Sequence, residues 1–397
     1  MERTLLVTAN SPGEISGWLR PIGRAWQEVA RGGDIVVILL PCTFASGREE
    51  SVASRLPGVT EVIPTNRLLR FLVWEGRRFR GSPHLHLGGD LMYAALLSWR
   101  WGLRSWSYMW ARRWWDSAFR GYFTRNQKGV DWLLRRRISR DKIHVVGDLV
   151  VDSVYAGDLR DPPPLGRAVS FLPGSRLHEV RGLAPFFLGV AEELRGRWPE
   201  LEFRLLLSPF LDPAEVRRVV TAPPLPDVGG VQGTLQGESV LQAPGGTRLR
   251  LVQGGEAGAL AGSRLVVTIP GTKTAEAACL GIPSCVILPL NRPERLPYGG
   301  LLGLLDWLPG GPVLKGRLLL RMKGKIGYLA QPNILAGREL VPELIEVLRP
   351  HDVAQAAGRM LASEAELERI RVELLEQYAP FRGAARRMVE VMTGSRP

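Results

Sequence analysis

Short, mostly apolar runs alternate along this chain with longer stretches of helical pattern. Leu5–Thr8 and Ile35–Leu40 read as buried strands, and Ile15–Ala30 between them reads as a helix. A strand, a helix and a second strand in that order predict a parallel sheet. Further strands are expected at Glu61–Ile63, His84–Leu87 and His144–Val146. The run Asp161-Pro162-Pro163-Pro164 then interrupts the pattern as a linker does. After it a second series begins. Ala168–Leu172, Phe203–Leu207, Leu265–Ile269 and Ser284–Leu288 read as strands, with helices at Ala184–Arg195 and Lys273–Leu280.

This pattern predicts an α/β chain of two doubly wound, Rossmann-like domains. Ligands in such sheets bind beyond the strand C-termini, so a cleft between the two sets of strand ends is the expected site. The expected boundaries are 1–162 for an N-terminal domain, 163–350 for a C-terminal domain, and 351–397 for C-terminal helices that pack back toward the first. Thr221–Thr247 is rich in Gly, Pro and Gln without a clear period and reads as a loop insertion. Leu301–Leu314 is an apolar, Gly/Pro-punctuated stretch inside a second insertion, and Ala362–Met392 reads as helical. No repeat of solenoid period is present.

Composition narrows the class. With 397 residues, 45% hydrophobic and 23% charged, the chain is long enough for two cores and is not of disordered type. The formal net charge of +13 favours anionic partners, although a general bias toward arginine gives the same number. Three cysteines without metal-ligand spacing argue against a disulfide scaffold or a zinc site and suit a reducing cytoplasm. The N-terminus reads as a strand and not as a signal peptide, and no apolar run reaches the roughly 18 residues of a transmembrane helix.

Four segments are candidates for chemistry. Ser11-Pro12-Gly13-Glu14-Ile15-Ser16-Gly17 follows the first strand. Its turn offers backbone N–H groups at a helix start, and it equally suits a plain strand-to-helix turn capped by Ser11 or Ser16. Leu172-Pro173-Gly174-Ser175-Arg176 follows the first strand of the second series. Gly174 permits close backbone approach, Ser175 can bond an oxygen, and Arg176 offers a planar fork suited to a diphosphate. In Pro270-Gly271-Thr272-Lys273-Thr274-Ala275-Glu276, Thr272 and the helix amides can hold phosphate. Glu276 can accept from ribose hydroxyls or simply serve the helix dipole. Gln331 to Leu344 reads as loop, turn, then helix, with Asn333 presenting an amide before the helix.

Together these segments resemble lipid-A-disaccharide synthases. Leu172-Pro173-Gly174-Ser175-Arg176 with Glu179, Gly271-Thr272 with Glu276, and above all Pro332-Asn333-Ile334-Leu335-Ala336-Gly337-Arg338-Glu339-Leu340-Val341-Pro342-Glu343-Leu344 carry the likeness. Weaker similarity covers Gly13 to Gly17, Gly88-Gly89-Asp90, and Val146-Gly147-Asp148 with Asp152. The resemblance implies a GT-B fold and a metal-free, cofactor-free inverting glycosyltransferase. Such an enzyme moves an acylated glucosamine from a UDP-sugar to a lipid-linked acceptor on the cytoplasmic face of the inner membrane. It implies that Gly13, Gly174, Ser175, Arg176, Gly271, Thr272, Thr274, Glu276, Asn333 and Glu339 form the nucleotide-sugar site. Asp90 is then the candidate base, with Glu14 next in line. The chain departs from the family at Trp18, where an acidic residue is usual, and in Leu91–Leu96, which lacks a second Asp. The nucleotide half is thus better kept than the acceptor half.

Six of the twelve tryptophans lie between Trp99 and Trp115, among Arg100, Arg104, Arg112 and Arg113. Such a stretch suits a membrane surface or a lipid headgroup. Trp106, Trp110 and Trp114 also share helical spacing, which suits a buried stripe. Nucleic acid is not an expected partner. Two other readings stay open: another UDP-sugar enzyme, either an epimerase or a transferase with a soluble acceptor, and a non-enzymatic nucleotide-sugar-binding protein.

Overall fold

The computed structural model describes residues 4–42, 47–155, 159, 161–254, 257–291 and 327–394. The apolar stretch 301–314 lies outside them. The chain forms two units, Met1–Arg160 with Ala379–Pro397, and Asp161–Tyr378. The expected C-terminal return at residue 351 is placed by the structure at Ala379. The Pro350–Leu361 and Glu364–Tyr378 helices belong to the second unit.

Among the described residues, unit 1 holds a seven-stranded parallel sheet in the order β3-β2-β1-β4-β5-β6-β7. Its strands are β1 (Thr4–Ala9), β2 (Asp34–Leu39), β3 (Val59–Ile63), β4 (Pro83–His86), β5 (Arg104–Tyr108), β6 (Gly121–Thr124) and β7 (Ile143–Val145). Parallel strands are covered on both faces, so their cores are near-continuous apolar runs. Leu5, Leu6 and Val7 of β1 are fully buried, each contributing about 1.5–3 kcal/mol of burial. The expected single helix at 15–30 is instead a short α-turn (Pro12–Glu14), a π-helical turn (Ile15–Leu19) and an α-helix (Arg20–Val29).

The Val146-Gly147-Asp148 segment anchors the returning C-terminus within this unit. Asp148 N–H donates to Phe381 O at 3.1 Å. Asp152 accepts from Gly383 N at 2.6 Å and Ala385 N at 2.7 Å, capping the Ala384–Thr393 helix. The helical segment expected over 362–392 consists of the Glu364–Tyr378 and Ala384–Thr393 helices, separated here by the turn Ala379–Phe381 and Gly383.

Unit 2 has an eight-stranded sheet among the described residues, in the order β10-β11-β12-β9-β8-β13-β14-β15. The strands are β8 (Ala168–Leu172), β9 (Glu202–Leu207), β10 (Thr234–Gln236), β11 (Val240–Gln242), β12 (Arg248–Gln253), β13 (Ser263–Thr268), β14 (Ser284–Pro289) and β15 (Glu343–Glu346). β10 pairs antiparallel with β11 and β11 antiparallel with β12, and the other described pairs are parallel. β10 and β11 form a hairpin inside Thr221–Thr247, which corrects the reading of that segment as loop. Residues too polar for a core strand still pair when a neighbouring edge, here β12, offers its backbone.

The Gln331–Leu344 reading is also corrected. The helix comes first, at Gln331–Ala336, started by Pro332 and ended at Gly337. Asn333 lies inside it, and Glu343–Glu346 is a strand paired with β14.

Among the described residues no helix is long and apolar enough to cross a membrane. No group of three or more His, Cys, Asp or Glu side chains there is placed to hold a metal ion.

Candidate functional site

Each sheet reverses its strand order once. In unit 1 the chain builds outward from β1 to β2 and β3, then crosses back to β4 on the other side. In unit 2 it builds from β8 to β9, then crosses back to β13. The loops leaving the two central strands splay apart at such a point and open a crevice at the sheet's C-terminal edge. All four loops at these two points are segments singled out in the sequence.

In unit 1 the loops are Asn10–Glu14 after β1 and Leu87–Asp90 after β4. Glu14 accepts from Asn10 N at 2.9 Å and Ser11 N at 3.2 Å, while its own N–H donates to Ser11 Oγ at 3.4 Å. This closes a capping box with Ser11 as the cap and Gly13 inside the turn. The side chain of Ser16 lies outside the described residues. The Glu14 carboxylate lies directly against Gly88, where a Cβ would run into it. Burial pushes its pKa up, partly offset by the N–H groups of Asn10 and Ser11. Asp90 is exposed and caps the Leu91–Trp101 helix, its Oδ1 accepting from Met92 N at 2.9 Å. The π-helical turn at Ile15–Leu19 carries Trp18. Its ring stands edge-on to Tyr108 at 5.2 Å, and its Nε1 is buried without a partner. Tyr108 donates to Asp148 Oδ1 at 3.3 Å, and Asp148 pairs with Arg125 at 3.3 Å. Where the resembled family has an acid, this chain therefore has an aromatic contact.

In unit 2 the loops are Pro173–Arg176 and Ile269–Thr272. Gly174 has φ +113°, and a Cβ there would run into the Glu179 carboxylate and the Ile269 side chain, so the two loops are pressed together. Arg176 caps the Leu177–Arg197 helix. Its N–H donates to Glu179 Oε2 at 3.0 Å and its guanidinium pairs with Glu179 Oε1 at 3.3 Å. With 33% of its side chain exposed, the fork is steadied and still reachable. Ser175, Gly271 and Thr272 are exposed on the same edge. Both units thus repeat one device: a glutamate in the first turn of a helix, folded back onto its own loop and covered by a glycine.

The remaining expected site residues differ in kind. Glu276 is half-buried and paired with Lys273 at 2.6 Å. Thr274 is fully buried, donating to Gly271 O at 2.8 Å and accepting from Gln331 N at 3.1 Å. Asn333 is fully buried too. Its Nδ2 donates to Val341 O at 2.8 Å and Glu343 Oε1 at 2.7 Å. Its Oδ1 accepts from Leu340 N at 2.8 Å and Val341 N at 3.0 Å. That exhausts the amide's donors and acceptors, so Asn333 holds the segment in shape. Glu339 is exposed beyond Gly337. The sequence reading quoted Glu343 only as part of the family likeness and gave it no role; it also accepts from Leu329 N at 2.8 Å and Ala330 N at 3.0 Å. Its signal was a charged residue inside a run that pairs as a strand.

No family model matches the chain. It is 29% identical over 230 residues to the lipid-A-disaccharide synthase of Anaeromyxobacter dehalogenans (strain 2CP-C), covering 56% of this chain and 49% of that protein. It is 31% identical over 198 residues to that of Pseudomonas paraeruginosa, covering 50% of this chain and 41% of that one. The chain is a divergent relative of the lipid-A-disaccharide synthases. It spans about half the length of the curated relatives it matches. Its fold is also that of the UDP-GlcNAc 2-epimerase from Neisseria meningitidis bound to UDP-GlcNAc. The TM-score is 0.59 at 13% identity, over 99% of this chain and 100% of that one. The fold is of GT-B type, two Rossmann-like α/β units.

Proposed function

We propose that this chain is an inverting glycosyltransferase that takes a sugar from a UDP-sugar and hands it to a lipid-linked acceptor, as lipid-A-disaccharide synthases do. The observation that carries this reading is the unit 2 switch point, where the Gly174-Ser175-Arg176 loop packs on Ile269 of the loop leading to Gly271-Thr272, each loop ending at a helix N-terminus. Backbone N–H groups, hydroxyls and one held arginine are the donors a diphosphate needs. An acceptor hydroxyl attacks the anomeric carbon, and the bond from that carbon to the UDP oxygen breaks. The departing diphosphate keeps the electron pair and meets Arg176 and the amides, while the hydroxyl proton passes to a base, for which Asp90 is the candidate. Release of UDP that requires both a UDP-sugar and a lipid acceptor tests the reading. The fold match to an epimerase favours a second one. Conversion of the UDP-sugar with no acceptor present would select it.

Replacing Arg176 with alanine is expected to weaken UDP binding by about 1.5–3 kcal/mol, the range of a charge-assisted hydrogen bond. Uridine affinity, lacking the diphosphate, should stay the same. Calorimetry showing equal losses for both ligands removes Arg176 from the diphosphate.

The lipid side of the proposal rests on a surface of unit 1, and places the protein peripherally on the inner face of the cytoplasmic membrane. The tryptophan-rich segment is not one helix. Trp106 lies buried in β5, Trp110 follows it, and Trp114 lies in the 3-10 turn Arg113–Ala118. Strand β5 breaks the helical spacing because Arg104 to Tyr108 pair with both β4 and β6. Trp99, Trp110 and Trp114 are left exposed. Trp99 packs on Trp115 at 5.4 Å, and Arg100 reaches Val73 O at 3.4 Å. There Leu69, Val73 and Trp74 of a second helix, which the sequence reading passed over, are exposed as well. Apolar rings among arginines suit an anionic lipid surface. Alanine at both Trp110 and Trp114 is expected to weaken binding to anionic vesicles roughly tenfold, about 1.4 kcal/mol, with melting nearly unchanged. Unaltered vesicle binding sinks the assignment of this surface.

A further inference from the structure

Both helices that start at the unit 2 switch point open with a cation. Arg176 caps the Leu177–Arg197 helix, and Lys273 is the second residue of the Thr272–Cys279 helix. A helix N-terminus carries partial positive charge, so a cation in the first turn is opposed by the helix itself and an anion belongs there. The first helix supplies one in Glu179, whereas the second has no acidic residue in its first turn. Each cation is tied to a carboxylate three residues on, Arg176 to Glu179 at 3.3 Å and Lys273 to Glu276 at 2.6 Å. The two carboxylates differ in what else they do. Glu179 also accepts the Arg176 N–H and so belongs to its loop. Among the described residues the Glu276 carboxylate is held by Lys273 alone. With 13% of its side chain exposed, it needs a partner of some kind.

Residues three apart share one face of a helix and span roughly 4.5 Å of its axis. The ion pair therefore lies along the side of the first turn. Among the described residues the space ahead of that turn is open: a Cβ on Gly271 would meet nothing within 4 Å, and Thr272 is exposed. Thr274 Oγ1 donates to Gly271 O at 2.8 Å and holds the turn in shape. Lys273, 35% exposed on a flexible four-carbon stem, can swing from Glu276 to the front of the helix with the backbone at rest. A ligand with an anionic end and a hydroxyl end satisfies both partners at once. The anion takes the helix amides and Lys273, and the hydroxyls donate to the released Glu276. A nucleoside diphosphate has both ends.

We propose that the Lys273–Glu276 ion pair is a clasp over the nucleotide bed of unit 2, opened by the donor: Lys273 turns to the diphosphate as a second cation in addition to Arg176, and Glu276, set free, accepts from the ribose hydroxyls. This rests on the reading of the unit 2 switch point as the UDP site. Either half of the ligand opens the clasp for the other, so the halves bind cooperatively. Calorimetry with pyrophosphate and uridine as separate ligands reads this directly. In the wild type, saturating pyrophosphate should tighten uridine binding several-fold. Lys273→Met should weaken pyrophosphate roughly tenfold, as for a lost charge-assisted contact, and tighten uridine. Glu276→Gln should do the reverse, weakening uridine and tightening pyrophosphate. The coupling should vanish in both variants, with melting nearly unchanged, since a partly exposed ion pair adds little stability. Independent binding of the two halves to the wild type overturns the proposal, and that measurement needs no variant to fold. Both ligands weakening together in either variant overturns it too. If Arg176→Ala weakens pyrophosphate and Lys273→Met does not, the clasp falls and the diphosphate reading stands. A wild type that binds neither UDP nor pyrophosphate removes both.

Discussion

Replacing Asn333 with leucine should destabilise unit 2 by about 3–5 kcal/mol while leaving the exposed loops proposed for the diphosphate chemically intact. The side chains are nearly the same size, so the loss is one of hydrogen bonds and not of packing. Leucine leaves the buried N–H groups of Leu340 and Val341 without the Oδ1 acceptor they share. It also takes a donor from Val341 O and from the Glu343 carboxylate. Each buried group left unsatisfied costs about 1–3 kcal/mol. Glu343 would keep the N–H groups of Leu329 and Ala330, which limits the damage to this one segment. At roughly 2–4 °C per kcal/mol for a unit of this size, melting should fall by about 6–20 °C. Two units need not unfold together, so calorimetry must resolve the transitions. Hydrogen exchange should rise at Leu340 and Val341 first. A melting curve equal to the wild type's would mean that the Asn333 amide is not a structural latch and would return it to the list of ligand groups.

Asn333 illustrates what the sequence makes legible. The stretch from Pro332 to Leu344 is the most specific likeness in the chain, yet a motif does not say whether an amide faces a ligand or its own backbone. Here all four bonding positions turn inward. By contrast, the place of Gly174, Arg176 and Thr272 at the C-terminal edge of the sheet was legible, because they directly follow the apolar runs that form β8 and β13. β1, β2 and β8 were legible as apolar runs buried on both sides. β5 was not. Its Arg-Ser-Trp-Ser-Tyr alternation is a strand pattern, but its tryptophan invites a helical reading with Trp110 and Trp114. β10 and β11 were hidden for another reason: a polar hairpin at a sheet edge is held by backbone pairing and leaves little hydrophobic trace. The buried His84 and His86 were quoted only as strand residues. Nothing in a single sequence tells that Thr8 and Ser105, far apart in the chain, lie beside them.

Asp90→Asn should lower turnover of UDP-sugar and acceptor by roughly a hundredfold or more, the loss expected when a general base is removed. In free-energy terms that is about 2.7 kcal/mol of transition-state stabilisation. The structure makes this variant unusually clean. Asp90 caps the Leu91–Trp101 helix by accepting from Met92 N, and asparagine caps as well as aspartate does. The helix start, the Gly88–Gly89 turn and the melting temperature should therefore be preserved, while the charge and the proton-accepting oxygen are lost. UDP affinity should be unchanged, because the proposed diphosphate donors all lie in unit 2. The decisive measurement is the split between the two effects: kcat falling with UDP binding intact. Surviving activity would move the base elsewhere. Glu14 is then the next carboxylate to test, since it lies against Gly88 and burial has already pushed its pKa up. A parallel fall in UDP affinity would instead mean that Asp90 acts on the donor and not on the acceptor hydroxyl.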